Sequence, residues 1–123
     1  MLFGYESLVG WNANNRWCFA VPKSKTAGTG TLPPQEYTWR LIMPRDAQVE
    51  AMALSGNALL LAGRICDPKS DAPRGFLWRV SPEDGKQQAE SPLDSPPAYD
   101  GLAVAGEKVY LSLEDGGVIC FGD

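Results

Sequence analysis

The chain has 123 residues, 44% of them hydrophobic and 21% charged, with a net charge of −4. This length suits one domain, and an acidic balance without any basic cluster argues against nucleic-acid binding. There is no histidine, which removes histidine-activated nucleophiles, histidine general acid–base chemistry and histidine metal ligation together.

The first six residues, MLFGYE, lack the basic segment, apolar core and cleavage site of a signal peptide, and they read as strand. Short apolar alternations then predict strands over 7–11, 17–21, 37–43, 49–54, 58–62, 75–81, 87–91, 102–105, 108–113 and 117–121. No run approaches the roughly 18 apolar residues of a membrane span. Helix signals are nearly absent. Ser55-Gly56-Asn57, Glu83-Asp84-Gly85, Ala105-Gly106-Glu107 and Glu114-Asp115-Gly116-Gly117 separate strands. Such turns need positive φ and mark antiparallel hairpins. The expected class is all-β, an antiparallel meander.

Two stretches read as loops. Residues 23–35 (KSKTAGTGTLPPQ) are small and polar; 67–74 (DPKSDAPR) form a polar insertion between strands. Binding residues gather on loops over a rigid scaffold. The candidate binding surface is therefore Trp11, Trp17, Asp67, Lys69 and Arg74, with the two tryptophans as stacking platforms if exposed. Asp84, Asp94, Asp100 and Asp115 sit in turns, where carboxylates accept backbone hydrogen bonds. Gly28-Thr29-Gly30-Thr31 lacks the ending and the helix of a phosphate loop. Cys18, Cys66 and Cys120 form no C-x-x-C, and no base stands ready to activate a thiol. No catalytic, cofactor or metal residue is assigned.

Sliding the chain by fifty positions lays 41–62 over 91–112 without a gap: Ala53 meets Ala103, Gly56 meets Gly106, Leu61 meets Leu111 and Glu50 meets Asp100. A period of about 40–50 residues with four short strands is the signature of a β-propeller blade. The organisation expected is a divergent partial blade over 1–48 with its loop at 23–35, a full blade over 49–93 and a three-stranded blade over 94–123. About two and a half blades make an incomplete ring, since propellers close with roughly four to eight.

Residues 75–123 carry Asp84-Gly85-Lys86 between strands, then Leu93-Asp94-Ser95-Pro96-Pro97, Asp100-Gly101-Leu102-Ala103, Val109-Tyr110-Leu111-Ser112 and Asp115-Gly116. This tail resembles the C-terminal blades of bacterial PQQ-like (quinoprotein-like) β-propeller proteins, and 49–63 is similar to their preceding blade. The resemblance implies a propeller within a larger repeat protein. Its parent would be exported or periplasmic, although this chain shows no leader and its own localisation is left unknown. In that family a tryptophan-docking motif locks neighbouring blades. Here Asp84-Gly85-Lys86 holds the turn, but Ala89 occupies the tryptophan position. Trp39 stands there one repeat earlier, without the turn residues before it, so the motif reads as degenerate. No position matches the family's PQQ or calcium ligands, and no cofactor is expected. The leading expectation is a non-catalytic interaction or structural module. Its partner would be another protein, the remaining blades or a second copy of itself. The alternatives are a fragment of a PQQ-dependent oxidoreductase and a carbohydrate-binding β module.

Overall fold

A computed structural model describes residues 2–10, 13–21, 37–44, 46–66, 69 and 72–121. The described residues are all-β, with ten strands: β1 (Leu2–Gly10), β2 (Ala13–Val21), β3 (Trp39–Ile42), β4 (Ala47–Ser55), β5 (Ala58–Ile65), β6 (Arg74–Val80), β7 (Gln87–Leu93), β8 (Pro97–Ala105), β9 (Lys108–Leu113) and β10 (Val118–Phe121). They form three antiparallel sheets, each a meander of neighbours in sequence: β1-β2-β3, β4-β5-β6-β7 and β8-β9-β10. No closed ring is seen among the described residues. Among the described residues no helix is long and apolar enough to cross a membrane.

Every strand read from the sequence has its counterpart, with shifted ends at both termini. β1 begins at Leu2 and pairs along its whole length with β2, from Leu2 opposite Val21 to Gly10 opposite Ala13. β8 begins at Pro97, ahead of the strand expected from 102. Pro97 pairs with Leu113 and Leu102 with Leu111, so the intervening residues bulge out of the ladder. Proline is tolerated at the first position of a strand, and Asp100 turns the bulge at a φ of +54°. The four glycine turns behave as their chemistry requires. Gly56, Gly85, Gly106 and Gly116 all have positive φ. Asp84 and Asp115 accept hydrogen bonds from the Lys86 and Gly117 amides at 3.0 and 2.8 Å. The amide at Lys86 holds the Asp84 carboxyl below its ordinary range.

The central sheet is covered on both faces, and its sequence shows why. Side chains alternate across a strand. On β5, Leu59 and Leu61 join Phe76, Trp78 and Val80 of β6 in a core against the first sheet, with Cys18, Ala20, Trp39 and Met43. Ala58, Leu60 and Ala62 join Leu77 in a second core against the last sheet. A strand buried on both faces has no polar position to alternate, hence the unbroken ALLLA run. β4 changes face midway. Ala47 and Val49 face the first core, whereas Ala51 faces the second. The register shifts between Val49 and Ala51, so Glu50 is the extra residue of a β-bulge. One inserted residue inverts the alternation beyond it.

Candidate functional site

Three elements converge where the first strands of the sheets approach one another. Tyr5 from β1, Glu50 and Met52 from β4, and Tyr99 and Asp100 from β8 line a cleft of about 360 Å³. Both β4 and β8 are irregular here: Glu50 is the bulged residue, and Asp100 is the one described non-glycine residue at positive φ. Glu50 and Asp100 are also the two acids that the fifty-residue offset superimposes. Tyr99 stands out from the cleft wall at 83% exposure.

Beside the cleft, Arg64 ties two sheets together. Its Nε lies 2.9 Å from Glu50 Oε1, and its Nη2 donates to Glu114 Oε1. The Nε contact is an ion pair, since Nε is not aligned with any hydrogen-bond acceptor. The Glu50 side chain is only 9% exposed, so Arg64 compensates a charge that burial would penalise. Glu114, 45% exposed in its side chain, forms the screened arm of the cluster. Replacing Arg64 with methionine leaves Glu50 buried and uncompensated, and should destabilise by about 1–3 kcal/mol. Adding Glu50→Gln should recover part of that loss. Amide exchange should accelerate in β8–β10 more than in β1–β3; equal acceleration in both would show that Arg64 does not hold the last sheet.

A second contact joins the first sheet to the central one. Trp39, in β3, packs its ring on Gly85 in the turn between β6 and β7, where a Cβ would overlap the indole. Its Nε1 donates to the Pro82 carbonyl at 2.9 Å. The ring and the turn that looked like two incomplete copies of one motif thus meet across two sheets. Fifty positions after Trp39 stands Ala89, exposed on β7. The junction of the central and last sheets uses the Arg64 cluster instead.

Of the residues named from the sequence, the three that are described, Trp17, Lys69 and Arg74, do not assemble into one surface. Trp17 is 8% exposed, with the Arg40 guanidinium 5.4 Å over its ring. It lies on β2, paired between β1 and β3, and cannot serve as an exposed platform. Lys69 is exposed on the connection from β5 to β6, and Arg74 is exposed at the start of β6, in a different sheet. Trp11 and Asp67 lie outside the described residues. Sequence reasoning passed over Tyr5, Arg64, Tyr99 and Glu114. The offset contained a signal for two of them, because Arg64 falls over Glu114, a charge reversal at one repeat position.

The cysteines are placed by burial. Cys18 is fully buried, which pushes its thiol up to about 12, while Cys66 and Cys120 are exposed free thiols. A thiol reagent should therefore modify two cysteines in the folded protein and the third only on unfolding. Three fast equivalents would show that β2 is not packed as described. Among the described residues, no three acidic or cysteine side chains converge on a point that could hold a metal ion.

Compared with family models, with curated proteins and with solved structures, the chain matches none.

Proposed function

We propose that the chain is a run of β-propeller blades serving as a non-catalytic interaction or structural module of the quinoprotein-like type. The observation that carries this reading is the placement of β4 and β8. They occupy 47–55 and 97–105, fifty positions apart, in adjacent sheets. Both lead through a two-residue turn, with Ser55 opposite Ala58 and Ala105 opposite Lys108. The two strands also pack on one another. First strand beside first strand, each opening its own meander, is how blades sit around an axis. The lock of Trp39 on the 82–85 turn supports the same reading, since it joins the last strand of one sheet to a turn of the next. Without histidine, the residues at hand suit holding surfaces together better than moving protons.

A crystal structure tests this directly. The three sheets should fan about one axis with β1, β4 and β8 innermost. A layered sandwich with aligned sheets would overturn the reading. Titration with PQQ and calcium separates the oxidoreductase alternative, and no cofactor-dependent absorbance change is expected. The carbohydrate alternative loses Trp17 as a stacking platform, because that ring is buried.

A further inference from the structure

We propose that the cleft between the first strands of the three sheets binds the alkylammonium group of a lysine side chain presented by a protein partner. The cleft itself needs only the sheets as they pack. That a partner supplies the lysine rests on reading the chain as an interaction module. Tyr5, Glu50, Met52, Tyr99 and Asp100 line a space of about 360 Å³, and no described basic side chain lines it. That volume suits one long side chain or a small molecule rather than a folded surface.

Charge favours a cation there. Glu50 and Asp100 bring two carboxylates to the cleft and Glu114 a third to its flank, against the guanidinium of Arg64. Three carboxylates to one guanidinium leave this corner net negative. Only 9% of the Glu50 side chain is exposed. What Arg64 Nε gives it is charge without a hydrogen bond, since that group is not aligned to donate. A buried carboxylate is held best by charge-assisted hydrogen bonds. An ammonium entering the cleft brings three N–H donors for the carboxylates that line it. A metal ion is a poorer match, because no third acidic or cysteine side chain converges there among the described residues.

The walls suit the stem of a lysine. Tyr5 and Met52 pack against the first core while bordering the cleft. They give the methylenes an apolar lining, and a lysine buries its stem while keeping its charged end among polar groups. Tyr99 stands at the rim, 83% exposed, beside Asp100. A tyrosine ring next to a carboxylate offers an ammonium a π face and a counter-charge together. The first sheet shows the aromatic half of this chemistry met from within the chain. There the Arg40 guanidinium lies 5.4 Å from the centre of the Trp17 ring and 5.0 Å from that of Tyr37. At the cleft the rings and carboxylates belong to this chain, and the cation is left to the ligand.

Amide chemical shifts of isotope-labelled protein, titrated with a glycine-flanked lysine peptide, test the proposal. The shifts should gather at Tyr5, Glu50, Met52, Tyr99 and Asp100. The matching norleucine peptide lacks the ammonium and should bind about tenfold more weakly. Asp100→Asn should weaken the lysine peptide about fivefold. Asparagine tolerates the positive φ of that position, so the bulge is kept. Tyr99→Ser should weaken it about threefold, at a position too exposed to matter for folding. Amide spectra unchanged away from the cleft will show that both variants fold. Equal binding of the norleucine peptide, shifts gathered elsewhere or no shifts at all overturn the proposal. So does binding that both substitutions leave unchanged. Butylammonium binding as tightly as the peptide would make this a small-amine site and overturn the protein partner. The fan of sheets is judged by crystallography and not by these titrations, so the two readings fail separately.

Discussion

Trp39→Ala should cost about 3–5 kcal/mol, the range for removing a buried aromatic side chain. The ring is 8% exposed, and it bridges two sheets that share no ladder. On one side it meets Phe3 with centroids 6.1 Å apart; on the other it covers Gly85. Its removal leaves a cavity at that junction and frees the Pro82 carbonyl. Trp39→Phe keeps most of the apolar contact and loses the indole donor, so it should cost about 1–2 kcal/mol. Gly85→Ala attacks the same contact from the turn. Its φ of +76° disfavours any side chain, and the new Cβ would strike the indole. The double variant Trp39→Ala/Gly85→Ala should therefore lose less than the sum of the two single losses, because either change breaks one shared contact. Urea unfolding midpoints measure all four variants. Strictly additive losses would show that Trp39 does not lean on the turn.

The fold was legible in the chain because its strands are short and its turns are chemically explicit. Gly56, Gly85, Gly106 and Gly116 each carry a conformation that other residues resist, so the hairpins announce themselves. Strand faces were less legible. The ALLLA run of β5 shows burial but not that two different sheets provide it. The bulge at Glu50 is invisible locally, since an acid in a strand reads as a solvent-facing position. Only pairing with Arg64 makes its burial tolerable. Asp100 read as a turn residue and the strand as starting at 102, which hid the first half of β8; a bulge lets the strand run from Pro97 through Asp100.

The exposure of Trp17 was not legible for a related reason. Trp17 belongs to a nine-residue strand paired on both sides, and long-range pairing decides its exposure. Trp39 and the 82–85 turn were each recognisable, but their union depends on how two sheets stack. Adjacent positions in sequence cannot report a contact between residues 43 apart.

Phe76→Ala is the second large effect, and it tests the stacking of sheets through side-chain alternation. Phe76 is fully buried on β6, opposite Gly63 of β5, and faces the first sheet. Its ring covers the bare backbone of Gly63 and lies 5.0 Å from that of Trp78. An aromatic over a cross-strand glycine repairs a weak point in a ladder. Truncation exposes that weak point and opens a cavity, for an expected loss of about 3–5 kcal/mol. Against a total of about 5–15 kcal/mol for a domain, that removes a third or more of the stability. Gly63→Ala should also destabilise, since its Cβ would overlap the Phe76 ring and the Gln48 carbonyl. The control is the next residue. Leu77 points the other way, into the core shared with the last sheet. Leu77→Ala should cost about 2–4 kcal/mol and accelerate amide exchange in β8–β10, whereas Phe76→Ala should accelerate it in β1–β3. Identical exchange patterns for the two variants would mean that the central sheet does not divide two cores. A Phe76→Ala loss below about 1.5 kcal/mol would place the ring outside the core altogether.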